Sequence, residues 1–177
     1  AFLSLSPQDM LDRGYQTIRD DLIRDLLELV KKSSSDFFEK MVVELLVSMG
    51  YGGSLKDAGE AIGRSGDGGI DGEIKEDKLG LDVIYVQAKN WEDKVVGRPE
   101  IQKFVGALRG RKATKGIFIT SSHFSDEAVE YVRTVHENVI LIDGQRLAEL
   151  MIDNDLGVTR EANYQIKRID NDYFSEE

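Results

Sequence analysis

Asp71, Gln87 and Lys89 lie within a single stretch of nineteen residues and are of types that can do chemistry together. Gln87 and Lys89 stand two apart in Leu81–Trp91 (Leu-Asp-Val-Ile-Tyr-Val-Gln-Ala-Lys-Asn-Trp), a run that reads as a strand. Side chains two apart on a strand share a face, so these two project together while Val86 and Ala88 pack into the core. Asp71 stands at the start of the preceding strand, which a glycine-rich turn, Gly-Asp-Gly-Gly-Ile-Asp-Gly (Gly66–Gly72), feeds. A hairpin between the two strands brings it to the same place. An acid, an oxygen donor and an ammonium at one spot suit a metal ion bound to a phosphate. Mg²⁺ takes oxygen ligands and keeps several waters, so one or two carboxylates and a phosphate oxygen suffice. Taken singly, each residue has an ordinary role: an Asp between glycines commonly closes a turn, and a strand Lys is commonly solvated. Asp67 is the residue expected to close this turn.

The ordered set Asp71, then Gln87-Ala88-Lys89, resembles the nuclease core with the Asp…(Asp/Glu)-x-Lys signature. More narrowly, it resembles the Mrr-type restriction endonuclease catalytic domain, in which Gln commonly replaces the second acid. Phe38-Glu39 on a preceding helix, Met49-Gly50-Tyr51 at its end and Lys115-Gly-Ile-Phe-Ile-Thr120 match as well, so the resemblance covers roughly Asp36 to Leu150. It implies an α/β fold with a restriction-endonuclease-like core, a mixed central sheet flanked by helices, and here an extra N-terminal helix. It also implies metal-dependent cleavage of double-stranded DNA.

Resemblance and strand geometry together give each residue a role. Asp71 is the principal Mg²⁺ ligand, with Mn²⁺ as a substitute metal. The Gln87 side-chain oxygen and the Ala88 backbone carbonyl help hold the metal or water beside it. Lys89 orients or helps deprotonate the attacking water and stabilises the pentavalent transition state, and Glu39 assists the metal site directly or through water. Gln102 on the next helix positions substrate or Lys89, and Lys103 and Arg98 join it as substrate contacts. Because Gln87 is neutral, the site carries one negative charge fewer than an Asp-Glu pair, so metal affinity should be lower.

Composition frames this reading. A chain of 177 residues suits one well-packed domain, and it contains no cysteine, hence no disulfide and no thiolate zinc site. No apolar run approaches the ~20 residues of a membrane span, and no secretory signal is visible. The resemblance then implies a cytoplasmic bacterial enzyme, on the nucleoid when active. Net charge is −10, against the usual pattern for DNA binding. The charge is uneven: residues 1–59 carry 7 basic and 10 acidic groups, residues 60–115 carry 11 and 10, and residues 116–177 carry 5 and 13. Lys75, Lys78, Lys89, Lys94, Arg98, Lys103, Arg109, Arg111, Lys112 and Lys115 thus fall around the candidate site in sequence. The acidic ends argue against tight duplex binding by this chain alone. A DNA-reading region outside this chain, which begins Ala-Phe-Leu, is expected to supply affinity, and the resemblance implies restriction of foreign or modified DNA with methylated bases recognised by such an N-terminal domain. Cutting both strands needs two sites, so a homodimer or higher homo-oligomer is expected.

The surrounding elements follow from periodicity and caps. After a linker over residues 1–10, apolar residues Ile18, Leu22, Leu26, Leu29 and Val30 predict a helix from about Asp9 to Lys32, broken by Ser33–Ser35. A second helix from Ser35, its expected N-cap, to Met49 buries Phe38, Met41, Val42, Leu45, Leu46 and Met49. Glu39 lies at the edge of that stripe. Ser54–Arg64 reads as a helical turn where the resemblance calls for a short strand. Gly97-Arg-Pro-Glu100 opens a helix with Ile101, Phe104, Val105 and Leu108 inward. Gly116–Thr120 is a central strand. Ser125 caps the next helix, with Phe124 stapled on Val129. Asn138–Ile142 is a strand and Gln145–Ile152 a final helix, so the second half of the sheet is parallel. The expected organisation is an N-terminal linker and helix (1–34), a catalytic domain (35–153) and an acidic, partly disordered tail (154–177).

Other chemistries find little support. His123 and His136 lie apart from each other and from the signature. Ser121 and Ser122 lack a His-Asp partner pattern, and no Gly-Lys-Ser/Thr follows the glycine cluster. Trp91 is more readily a packing residue than a base-stacking one. Two further readings stay open: a DNA-binding or assembly module of the same fold without catalysis, and a junction resolvase or repair nuclease.

Overall fold

The computed structural model describes residues 5–53 and 70–175. The helical turn expected over Ser54–Arg64, the turn residue Asp67 and the first four residues of the N-terminal linker lie outside them. Two helices come first, α1 (Pro7–Lys32) and α2 (Ser35–Ser48). An antiparallel hairpin, β1 (Gly72–Lys75) and β2 (Val83–Lys89), follows. The chain continues as α3 (Arg98–Gly110), β3 (Lys115–Thr120), α4 (Asp126–Thr134), β4 (Asn138–Ile142) and α5 (Gly144–Asp153). The sheet has the order β1-β2-β3-β4, with β2, β3 and β4 parallel. It is the mixed α/β sheet expected from the sequence.

Alternation along the strands sends side chains to two cores. Ile74, Ile84, Val86, Ala88, Ile117 and Ile119 face α1, α2 and α5, and Phe118 and Val139 face α3 and α4. Gly116 is a glycine because α3 crosses β3 there: a Cβ would stand 2.9 Å from Phe104 and Leu108. Gly144 opens α5 so close to the end of β3 that a Cβ would lie 2.2 Å from the Ser121 carbonyl oxygen.

Several local expectations shift. The Asp9 start of α1 moves to Pro7, because Ser6 and Asp9 form a reciprocal capping box. Ser34, not Ser35, caps α2, accepting a hydrogen bond from the Phe37 amide at 3.2 Å. The apolar stripe read along α1 divides: Leu26 and Val30 are buried, whereas Ile18, Leu22 and Leu29 are exposed. Phe124 packs edge-on against Phe118, with ring centroids 5.7 Å apart, and Val129 is exposed.

Candidate active site

The parallel strands β2 and β3 end side by side at Lys89 and Thr120. Carboxyl ends of parallel strands are where α/β sheets leave room for a site, because the following loops diverge there. The β1–β2 ladder ends at Gly72 opposite Val86, and Asp71 lies one residue beyond. Its amide donates to the Val86 carbonyl at 2.9 Å, and its carboxylate Oδ2 accepts from the Ala88 amide at 2.6 Å. The side chain thus takes the place of the next rung of the ladder. This fixes a partly buried carboxylate beside Gln87 and Lys89.

Gln87 lies inward rather than on an open face, with only 2% of its surface exposed. Among the described residues its Oε1 is buried without a hydrogen-bond partner, while its amide helps stabilise the Asp71 carboxylate. A buried acceptor left unpaired costs about 1–3 kcal/mol, so its presence calls for an explanation. Burial pushes the Asp71 carboxyl above its ordinary range, opposed by the Ala88 amide, the Lys89 charge and the Gln87 side chain. Glu39 reaches the same neighbourhood from α2. Burial is the main reason its pKa is raised, the negative charges of Asp71 and Asp36 add to that, and Lys89 works against it. Glu39, Asp71, Gln87 and Lys89 therefore form one electrostatic cluster.

The proposed substrate contacts stand differently. Gln102 and Lys103 are exposed on α3, and no described hydrogen bond or ion pair joins them to the cluster. Arg98 places its guanidinium 5.1 Å from the centroid of the Tyr131 ring on α4. The basic residues that are neighbours in sequence also separate in space. Lys75 and Lys115 mark the opposite end of the strands from Lys89. Lys115 pairs there with Glu76 and Asp82, and Arg109 with Glu137 at 2.7 Å. Arg111 lies over Tyr85, and Lys94 over Trp91, which packs against the core on that face. Proximity along a hairpin does not distinguish its two ends.

Asn90, which the sequence did not mark, ties the cluster to two other elements. Its Nδ2 donates to the Ser33 carbonyl at 2.8 Å, at the C-terminal end of α1, and its Oδ1 accepts from Ser121 Oγ at 2.7 Å. The Lys89 carbonyl accepts from Thr120 Oγ1 at 2.9 Å and from the Ser121 amide at 3.2 Å. The only cue in the sequence was the position of Asn90 next to Lys89.

The donor set fits a hard divalent cation of the Mg²⁺ kind. Among the described residues no group of three or more His, Cys, Asp or Glu could hold a metal. One fixed carboxylate, a second nearby and an unpartnered amide oxygen match an ion that keeps most of its waters.

Comparison with known proteins gives concordant results. A family model described as "Restriction endonuclease", of the Mrr catalytic-domain type, matches residues 30–151. The type IV methyl-directed restriction enzyme EcoKMrr of Escherichia coli (strain K12) is 45% identical over 169 residues, covering 96% of this chain and 54% of the relative. The chain thus spans about half the length of that relative. Among solved structures, the DNA modification-dependent restriction endonuclease AspBHI aligns with a TM-score of 0.53 at 14% identity, over 77% of this chain and 36% of that one. That likeness shows a shared fold. The MspJI restriction endonuclease in complex with a 27-mer oligonucleotide aligns at a TM-score of 0.40 and 20% identity, over 85% of this chain and 34% of that one, a match too loose to argue from.

Proposed function

The chain belongs to the Mrr-type restriction endonuclease family, and from that premise we propose that it hydrolyses phosphodiester bonds of double-stranded DNA in a Mg²⁺-dependent reaction. The observation that carries this reading is the Asp71 carboxylate pinned by the Ala88 amide, beside the unpartnered buried Oε1 of Gln87. Asp71, Gln87 and the Ala88 carbonyl would hold the ion, with Mn²⁺ as a substitute. Bound there, the ion supplies charge neutralisation at the scissile phosphate and acidifies water. Asp71 contributes the formal negative charge, and its bond to the β2 backbone keeps it from swinging away. Lys89, its carbonyl held by Thr120 and Ser121, aims an ammonium at the attacking water and balances charge in the pentavalent transition state. Glu39 holds a proton more readily than a solvated carboxylate and anchors water at the rim.

EcoKMrr is methyl-directed by its name, and modified DNA is accordingly the substrate proposed for this chain, in restriction of foreign DNA on the bacterial nucleoid. Methyl recognition and much of the duplex affinity come from a separate DNA-reading region, since the net charge is −10 and Lys115 and Arg109 are engaged by acids. Two copies cut the two strands. The test is nicking of supercoiled plasmid with Mg²⁺ or Mn²⁺ by the parent chain, Asp71→Ala and Lys89→Ala. Metal-dependent nicking lost in both variants supports the reading. Equal activity in all three, or a longer chain with its DNA-reading region that neither nicks nor cuts methylated plasmid, would contradict it.

A further inference from the structure

Large exposed apolar side chains concentrate on two elements. On α1, Leu11, Tyr15, Ile18, Leu22 and Leu29 are 38–69% exposed. They recur at the alternating three- and four-residue spacing of a coiled-coil seam, with Asp25 at the remaining position. At about 100° per residue they fall within roughly 60° of one another, centred some 70° around the helix from Leu26 and Val30. The seam runs for about 27 Å. The second element is the C-terminal arm, where Tyr164, Ile166, Ile169, Tyr173 and Phe174 are 70–87% exposed. Leu156 and Val158 pack against the core, and a Cβ on Gly157 would stand 3.6 Å from Leu26. The arm therefore leaves the domain beside α1 and then makes no use of it.

We propose that two copies of this chain pair by exchanging arms, the apolar side chains of each arm docking on the α1 seam of the other copy. A local charge match favours this occupant. The C-terminal half of the seam is bordered by Asp21, Asp25 and Glu28, of which Arg24 engages the first two, at 2.7 and 3.8 Å, leaving a net charge of −2 among the four. The arm as a whole is neutral between Tyr164 and Phe174, but its two cations, Lys167 and Arg168, stand together between Ile166 and Ile169, ahead of Asp170 and Asp172. A two-fold exchange buries about ten large apolar side chains per copy. With its polar surroundings, that is on the scale of the ~20–30 residues per side of a stable interface. The Asn90 bond to Ser33 at the end of α1 then connects the docked helix to the strand that carries Lys89.

The test is sedimentation velocity of the full chain across micromolar concentrations, with two double variants that keep the parent's melting temperature. Ile18→Glu/Leu22→Glu breaks the seam and leaves the arm; Ile166→Asp/Ile169→Asp breaks the arm and leaves the seam. The parent is expected to dimerise, each variant alone to be monomeric, and the two mixed to form a heterodimer through the one intact crossing. Lys167→Glu/Arg168→Glu should raise the dimer Kd about tenfold, and Asp25→Lys/Glu28→Lys in the same chain should restore it. A monomeric parent, variants that still dimerise alone, or folded variants that fail to associate when mixed would each overturn the proposal.

Discussion

The two ends of the central strands handle charge in opposite ways. At the end where β3 begins, Lys115 sits between Glu76 and Asp82 and Arg109 grips Glu137. Each of the ions that shifts there is stabilised in its charged form: Glu137 is lowered, chiefly by Arg109, and Lys115 is raised, chiefly by Glu76. At the end where β2 and β3 finish, burial pushes both Asp71 and Glu39 towards their neutral forms. An amide oxygen is buried there without a partner as well. The first end is arranged for stability. The second carries features that destabilise the fold, and the cation and phosphate of the proposed reaction would complete them. Substitutions at four positions test this contrast.

The largest effect should come from Lys89→Ala, which removes the ammonium while leaving the Asp71 bond to Ala88 intact. Nicking should fall by ~10²–10⁴-fold, the usual range for a group that handles the proton, with the melting temperature little changed. A smaller effect is expected for Gln87→Leu, which removes the orphan acceptor at similar volume. Plasmid nicking should fall and more Mg²⁺ should be needed, yet thermal stability should hold or rise. A large loss of stability would mean that Oε1 is satisfied in solution and does not await a ligand.

Asn90→Ala should cost about 1–3 kcal/mol in denaturant unfolding, since Ser33 and Ser121 lose a shared partner. Asn90→Asp, which keeps the acceptor for Ser121 but sets a carboxylate oxygen against the Ser33 carbonyl, should cost at least as much as Ala. The smallest effect belongs to the far end. Glu137→Gln should lower the melting temperature slightly at neutral pH. A carboxyl whose folded pKa is depressed stabilises above its unfolded pKa of 4.5 and loses that contribution as pH falls through the folded value. The difference between Glu137→Gln and the parent should therefore vanish in acid and leave nicking unchanged.

Much of the fold was legible because its periods are clean. The inward set Ile101, Phe104, Val105, Leu108 of α3 and the bounds of β4 were both readable from spacing. The Asp71, Gln87 and Lys89 neighbourhood was legible because a hairpin with the register Gly72 opposite Val86 converts sequence order into adjacency. What could not be read was anything decided across the chain. The α1 stripe looked like one face, since a long helix can carry apolar residues in two sectors and spacing alone does not say which meets a partner. The basic run from Lys75 to Lys115 looked like one patch, whereas the strands carry its members to opposite ends. Asn90 depends on Ser33, 57 residues away, and no local pattern reports such a bond.

In the proposed reaction Asp71 is kept as a buried acid, at a cost to stability, because it would hold the ion. Asp71→Asn tests it most directly, with nicking and thermal unfolding measured on the same samples in Mg²⁺ and in chelator. A carboxyl with a raised folded pKa stabilises the fold while neutral, and that contribution is lost as pH rises from the unfolded value of 3.8 through the folded one. At pH 7 to 8 the neutral Asn should therefore melt higher than the parent in chelator, nick no plasmid, and lose the rise in melting temperature that Mg²⁺ gives the parent. A variant that melts lower in chelator, or that still nicks with Mg²⁺, would contradict the account.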